Sequence, residues 1–185
     1  MSTTSAPGGM QEATVTIRAD YNLLFIQDVD DVRPLGAAIS EPWLLATESD
    51  RVAIHAGQTG LISVTTQAWA APPLPVDDQF RSRWEDIAEM SFTASTDDLV
   101  LTSLLDGPPM GGLDSLTPHG PGAYRVRVAA IGRTEYWDSV APPEKQPAVQ
   151  LLVQLWPSKS ADAILYQYKN RFTGQLVFAD ETKRA

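Results

Sequence analysis

The stretch Ala123-Tyr124-Arg125-Val126-Arg127-Val128-Ala129-Ala130-Ile131 alternates with a period of two. Tyr124, Val126 and Val128 fall on one parity, Arg125 and Arg127 on the other. Successive side chains of a strand leave opposite faces of the sheet, so the apolar groups share one face and the guanidinium groups the other. A helix, with its period of 3.6, would spread both kinds around its axis. The pattern predicts an antiparallel strand with one face on a core and the other in water. On either side lie loops: residues 106–122 are rich in Gly and Pro, and residues 132–147 contain Pro142, Pro143 and Pro147.

Similar short runs recur outward from this strand. Residues 14–18 alternate and are β-branched, residues 21–27 (YNLLFIQ) read as a strand buried on both faces, and residues 149–156 (VQLLVQLW) end at Pro157. Residues 51–55 and 61–69 flank Gly57 and Gly60, which predicts a hairpin. Residues 90–93 and 99–104, with Asp97-Asp98 between them, predict a second. Residues 163–168 and 175–178, with a turn at Thr173-Gly174, read as a helical turn or a last hairpin. Trp84–Thr93 begins with helix formers and ends in alternation, while Pro72, Pro73 and Pro75 force an extended connection before it. No strand is followed by a long segment of helical period, so parallel βαβ units are not expected. These features predict an all-β fold, an antiparallel β-sandwich with long Pro/Gly-rich loops and little helix.

The chain has 185 residues, of which 43% are hydrophobic, enough for one domain with its own core. Residues 1–11 read as a disordered tail and residues 12–185 as a single sandwich domain. The absence of cysteine excludes disulfides and thiolate metal sites. The N-terminal residues lack the basic and apolar regions of a signal peptide, and no apolar run approaches a bilayer span, so a cytoplasmic location is expected. The net charge of −9 is uneven: residues 1–116 carry 5 Lys/Arg and 17 Asp/Glu, residues 117–185 carry 9 and 6. Such a balance repels nucleic acid, whose affinity for proteins rests on Lys and Arg, and it also serves solubility.

No phosphate loop, dinucleotide fingerprint, nucleophile elbow or zinc-helix motif is present. His55 ends a strand and His119 sits in a Pro/Gly loop, at no recognised metal-ligand spacing. Three acidic clusters fall in loops: Asp28/Asp30/Asp31, Asp77/Asp78 and Asp97/Asp98. They lack EF-hand spacing, and Asp is a routine turn former. Trp137 stands in the polar segment Glu135-Tyr136-Trp137-Asp138, either as an interface anchor or as a cap on the end of the sandwich.

The order of elements from Trp84 to Pro157, with Gly122-Ala123-Tyr124-Arg125 opening a strand and Gln154-Leu155-Trp156-Pro157 closing the run, resembles a group of small actinobacterial proteins. More distantly it resembles the competence protein J family of small cytoplasmic nuclease inhibitors. The resemblance implies a non-enzymatic protein of immunity, antitoxin or nuclease-inhibitor type. No inhibitory residue carries over from it. The expected binding residues are Asp28, Asp30, Asp31, Asp77, Asp78 and Trp137, presented to a basic protein partner without cofactor, metal or direct nucleic-acid contact. A calcium- or small-ligand-binding sandwich and a hydrolase with a carboxylate pair are the alternative readings.

Overall fold

The computed structural model describes residues 9–31, 43–48, 50–142 and 145–169. Its strands are β1 (Gln11–Ala19), β2 (Leu23–Gln27), β3 (Leu45–Glu48), β4 (Arg51–His55), β5 (Gln58–Ala68), β6 (Asp86–Ala94), β7 (Val100–Thr102), β8 (Gly122–Ile131), β9 (Ser139–Val140), β10 (Gln150–Pro157) and β11 (Ile164–Gln167). One short helix, α1 (Asp78–Ser82), lies between β5 and β6. The protein is an all-β sandwich. A seven-stranded sheet has the order β1-β5-β10-β8-β6-β11, with β9 against β5, and a four-stranded sheet has the order β3-β4-β2-β7.

Alternation decides what each strand buries. Val15 and Ile17 of β1, Ile62 and Val64 of β5, Val126 and Val128 of β8, and Leu151, Val153 and Leu155 of β10 all point to the inner face of the large sheet. They meet Leu24 and Ile26 of β2, Val52 and Ile54 of β4, and Leu101 of β7 in one continuous core. β2 is buried on both faces, as its unbroken apolar run predicts: Leu23 and Phe25 join Ala53 in a second, smaller cluster. β1 begins at Gln11, at the border of the expected tail. Residues 175–178 and the turn expected at Thr173-Gly174 lie outside the described residues.

Three expectations are corrected. The run before Gly57 and the run after it do not form a hairpin, because β4 belongs to the small sheet and β5 to the large one. The same holds for β6 and β7 across Asp97-Asp98. In both places the turn carries the chain from one layer of the sandwich to the other, a path that period-two alternation cannot distinguish from a return in the same sheet. Third, the outer face of β8 is not wet. Arg125 and Arg127 are only 3% and 5% exposed. The connection through Pro72–Pro75 and α1 crosses that face, where the Leu74 carbonyl accepts from Arg127 Nη1 at 2.9 Å. The segment after β10 does the same further on, where the carbonyls of Ala161 and Asp162 accept from Arg125 Nη1 at 2.8 and 2.9 Å.

The central strand β10 runs parallel to β5, from Gln150 beside Ser63 to Leu155 beside Ala68, and antiparallel to β8. Gly132 makes the exit from β8 toward β10 possible. Its φ is +90°, and a Cβ there would lie 2.6 Å from the carbonyl oxygen of Ala148. That approach is fixed by backbone, so Gly132→Ala is expected to cost about 3 kcal/mol or more, from left-handed backbone strain plus the clash. Chemical denaturation measures it, and a loss below about 1 kcal/mol would contradict the close approach.

Candidate functional site

The two sheets close on one side, where β3 packs on β6. On the other side Val100 and Leu101 of β7 share a gap with Val15 of β1 and Thr66 of β5, and the chain between β7 and β8 bridges it. This strap is tied down at both ends. At the first end the Asp20 carboxylate accepts from Ser103 Oγ at 2.6 Å and from the Leu105 amide at 3.0 Å. At the second, the Leu116 amide donates to the Leu99 carbonyl at 2.7 Å, and Thr117 Oγ1 accepts from the Leu99 amide at 3.3 Å. Between the ties Leu105 and Met110 are exposed.

Beneath the strap is a cleft of about 380 Å³. Its walls are Val15 and Thr66 from the large sheet, Val100 and Leu101 from β7, and Pro108, Pro109, Leu113 and Leu116 from the strap. Val29, Asp98 and Asp114, with Gly111 and Gly112 of the strap, complete the lining. Pockets for small ligands and side chains run from about 300 to 1,000 Å³, are mostly apolar and carry few polar groups, which describes this cleft. The sequence signal for it was the strap itself. Irregular loops longer than about 12–15 residues inside a compact domain are uncommon, and those that occur tend to be functional.

The sequence-predicted residues fall in three places. Gln27 of β2 pairs with Val100 of β7, so the turn after β2 adjoins the turn before β7. Asp28, Asp30 and Asp31 therefore come together with Asp97 and Asp98 at the end of the sandwich where the cleft opens. Asp50 is at the same end, accepting from Ser95 Oγ at 2.6 Å. Asp28 also shapes its own turn, since its Oδ1 accepts from the Asp30 amide at 2.9 Å.

Asp77 and Asp78 lie apart, on the connection that covers β8. Asp77 is the N-cap of α1, with Oδ1 accepting from the Phe80 amide at 2.7 Å, and Asp78 stands in the first turn.

Trp137 is at the opposite end of the sandwich. It is half-buried and stacked on His55 with ring centroids 5.0 Å apart, and the Arg133 guanidinium lies 5.2 Å from its ring centroid. Arg133 pairs there with Asp86, and both are fully buried. Burial pulls the Arg133 pKa below its ordinary value, against the Asp86 carboxylate, which raises it.

Burial first, and the Arg133 charge second, lower the His55 pKa from 6.5 to about 4, while Asp138 opposes them. The folded protein thus holds His55 neutral, and the unfolded chain takes up the proton first as pH falls. Stability from this residue is complete above pH 6.5 and drains away down to about pH 4, where the folded state protonates as well. The loss across that window is expected to be about 3 kcal/mol. Denaturant midpoints of wild type and His55→Phe as a function of pH measure it, and identical slopes for the two proteins would remove His55 as the cause.

The buried charges on the outer face of β8 form a closed network. Both oxygens of Glu89 are used: Oε1 accepts from Arg125 Nε at 3.0 Å, Oε2 from Arg127 Nε at 3.0 Å. Arg127 lies over the rings of Trp156 and Tyr166, at 5.2 and 5.8 Å from the centroids. Burial and the Glu89 charge raise the Tyr166 pKa above its ordinary value. Glu89 therefore faces two guanidinium groups rather than a second carboxylate. Among the described residues no group of three or more His, Asp or Glu side chains is placed to hold a metal ion. Among them, too, no helix is long and apolar enough to cross a membrane.

No family model matches the chain, and no curated protein does, so neither comparison returns the competence protein J family. Among solved structures, one named "Crocagin biosynthetic gene J" aligns with 81% of this chain and 99% of its own, at 14% identity and a TM-score of 0.46.

Proposed function

We propose that this chain is a non-catalytic binding protein that presents one acidic end of its sandwich to a basic protein partner. The observation that carries the reading is a conjunction. The open cleft and the turns bearing Asp28, Asp30, Asp31, Asp97 and Asp98 share one end of the fold, whereas the buried ions Glu89, Arg125 and Arg127 are engaged with one another. Carboxylates gathered at one end steer an oppositely charged surface toward it and speed the encounter. A nuclease or toxin with a phosphate-binding surface would fit this description, the carboxylates standing where phosphates otherwise bind.

The test is affinity capture from the native host, comparing wild type with the isosteric variant Asp28→Asn/Asp30→Asn/Asp97→Asn/Asp98→Asn. Asn keeps each turn's acceptor oxygen and removes only the charge. A basic protein retained by the wild type at low ionic strength, and lost both at high ionic strength and with the variant, is the expected result. If the variant captures the same proteins with the same salt dependence, the acidic end is not the binding surface.

A further inference from the structure

We propose that the cleft under the strap receives one bulky apolar side chain from an extended peptide segment of the partner, with lysine or arginine beside it in sequence. This deepens the reading above and rests on it.

The floor is apolar: Val15, Leu101 and Leu116 are buried core residues of the sandwich, while Val100, Pro108, Pro109 and Leu113 in the walls keep apolar surface in water. An occupant that removes water from those walls must itself be apolar and large, since about 25 cal/mol is gained per Å² of apolar surface covered. The mouth asks for the opposite chemistry. Asp98 enters the lining from the turn before β7 and Asp114 from the strap, and the two segments adjoin, since Ser115 Oγ donates to the Asp97 carbonyl and the Leu116 amide to that of Leu99. Two carboxylates gathered at the mouth favour a chain that carries a cation beside the residue entering the cleft. A neutral apolar molecule would gain nothing from them.

In the same lining the apolar side chain of Val29 is 59% exposed, supplying contact for the stem of a long cationic residue. A central apolar anchor in a desolvated pocket, ringed by charges that set rate and register, is the usual division of labour at such interfaces.

The experiment uses two fluorescein-labelled peptides, Gly-Lys-Lys-Trp-Lys-Lys-Gly and the same sequence with Gly in place of Trp, titrated with the full chain and read by anisotropy. The Trp peptide is expected to bind at least tenfold more tightly, with affinity falling as salt rises. Thr66→Leu and Leu113→Trp, two independent ways of filling the cleft, should each remove that tenfold preference while leaving the residual binding of the Gly peptide in place.

Asp98→Asn/Asp114→Asn should weaken both peptides and flatten the salt dependence while keeping the preference for Trp. Equal binding of the two peptides to the unmodified chain would overturn the cleft proposal and leave the acidic-end reading standing. Failure of both peptides to bind at low salt would overturn both. If N-acetyltryptophanamide, which carries no charge, competes as strongly as the peptide, the flanking cations have no part and the peptide assignment falls.

Discussion

Glu89→Ala is expected to destabilise the protein by about 3–5 kcal/mol, because it leaves two guanidinium groups buried without their shared counter-ion. For a chain of this size that corresponds to a fall on the order of 10 °C in Tm. Arg125 and Arg127 reach Glu89 from adjacent positions on the same face of β8, each with two nitrogens near one carboxylate oxygen. Their remaining donors go to Ser91 Oγ, Gln154 Oε1 and the carbonyls of Leu74, Ala161 and Asp162. These groups also hold the two covering segments on the sheet, so loss of Glu89 should loosen the covers first.

Hydrogen exchange should show the effect at residues 72–82 and 158–163 before it reaches the strands. Replacing the whole cluster with apolar groups, as in Glu89→Leu/Arg125→Met/Arg127→Met, should cost less than removing Glu89 alone. A Glu89→Ala protein within about 1 kcal/mol of wild type would mean that water, not protein, surrounds these guanidinium groups.

Asp86→Ala is the second large effect, also about 3–5 kcal/mol. Asp86 and Arg133 are both 0% exposed, and the Asp86 Oδ1 also accepts from the Lys169 amide at 2.8 Å. The damage should be visible at a distance, because the Arg133 guanidinium lies 5.2 Å from the centroid of the Trp137 ring, on which His55 is stacked. Release of Arg133 exposes that ring, so the emission of Trp137, isolated by comparison with Trp137→Phe, should shift to longer wavelength. Arg133→Lys should not preserve stability, since an ammonium lacks the planar fork that meets a carboxylate side-on. An unshifted emission in Asp86→Ala would show that the stack stands without the ion pair.

How much of this was legible in the sequence differs by level. Alternation in residues 14–18, 123–131 and 149–156, and the unbroken apolar run of residues 23–26, place strands where they occur. Connectivity was not legible. A Gly- or Asp-containing turn between two alternating runs reads the same whether the chain returns in one sheet or steps to the facing one, as at Gly57 and Asp97. Nor was the fate of Arg125 and Arg127. Alternation says which face they take but not what covers it, and the cover comes from segments some 40–55 residues before and 30–40 residues after them.

At the site, Asp28, Asp30, Asp31, Asp97 and Asp98 could be named as loop carboxylates, but their convergence depends on the pairing of β2 with β7. Asp77-Asp78 had a local explanation available, since paired acids ahead of a short polar run are a helix-start signal. The long Gly/Pro-rich segment 106–122 marked a place to look, but the cleft under it is a property of two layers meeting and its walls could not be read in one dimension.

The parallel pairing of β5 with β10 has a consequence for how the chain is made. β5 ends at Ala68 and its inner neighbour does not begin until Gln150, so the large sheet has a gap at its centre until most of the polypeptide exists. Contacts that close such long loops form late and slowly, because their chain entropy is spent before any pairing rewards it. At a synthesis rate of about 5–20 residues per second, β1 and β5 wait for several seconds with an apolar face and an open edge exposed to the ribosome's surroundings. An apolar face and an unpaired strand edge exposed for that long are the features that make a nascent chain prone to aggregation. Premature termination anywhere before residue 150 leaves a sheet in two halves, fit for proteolysis rather than for partial activity.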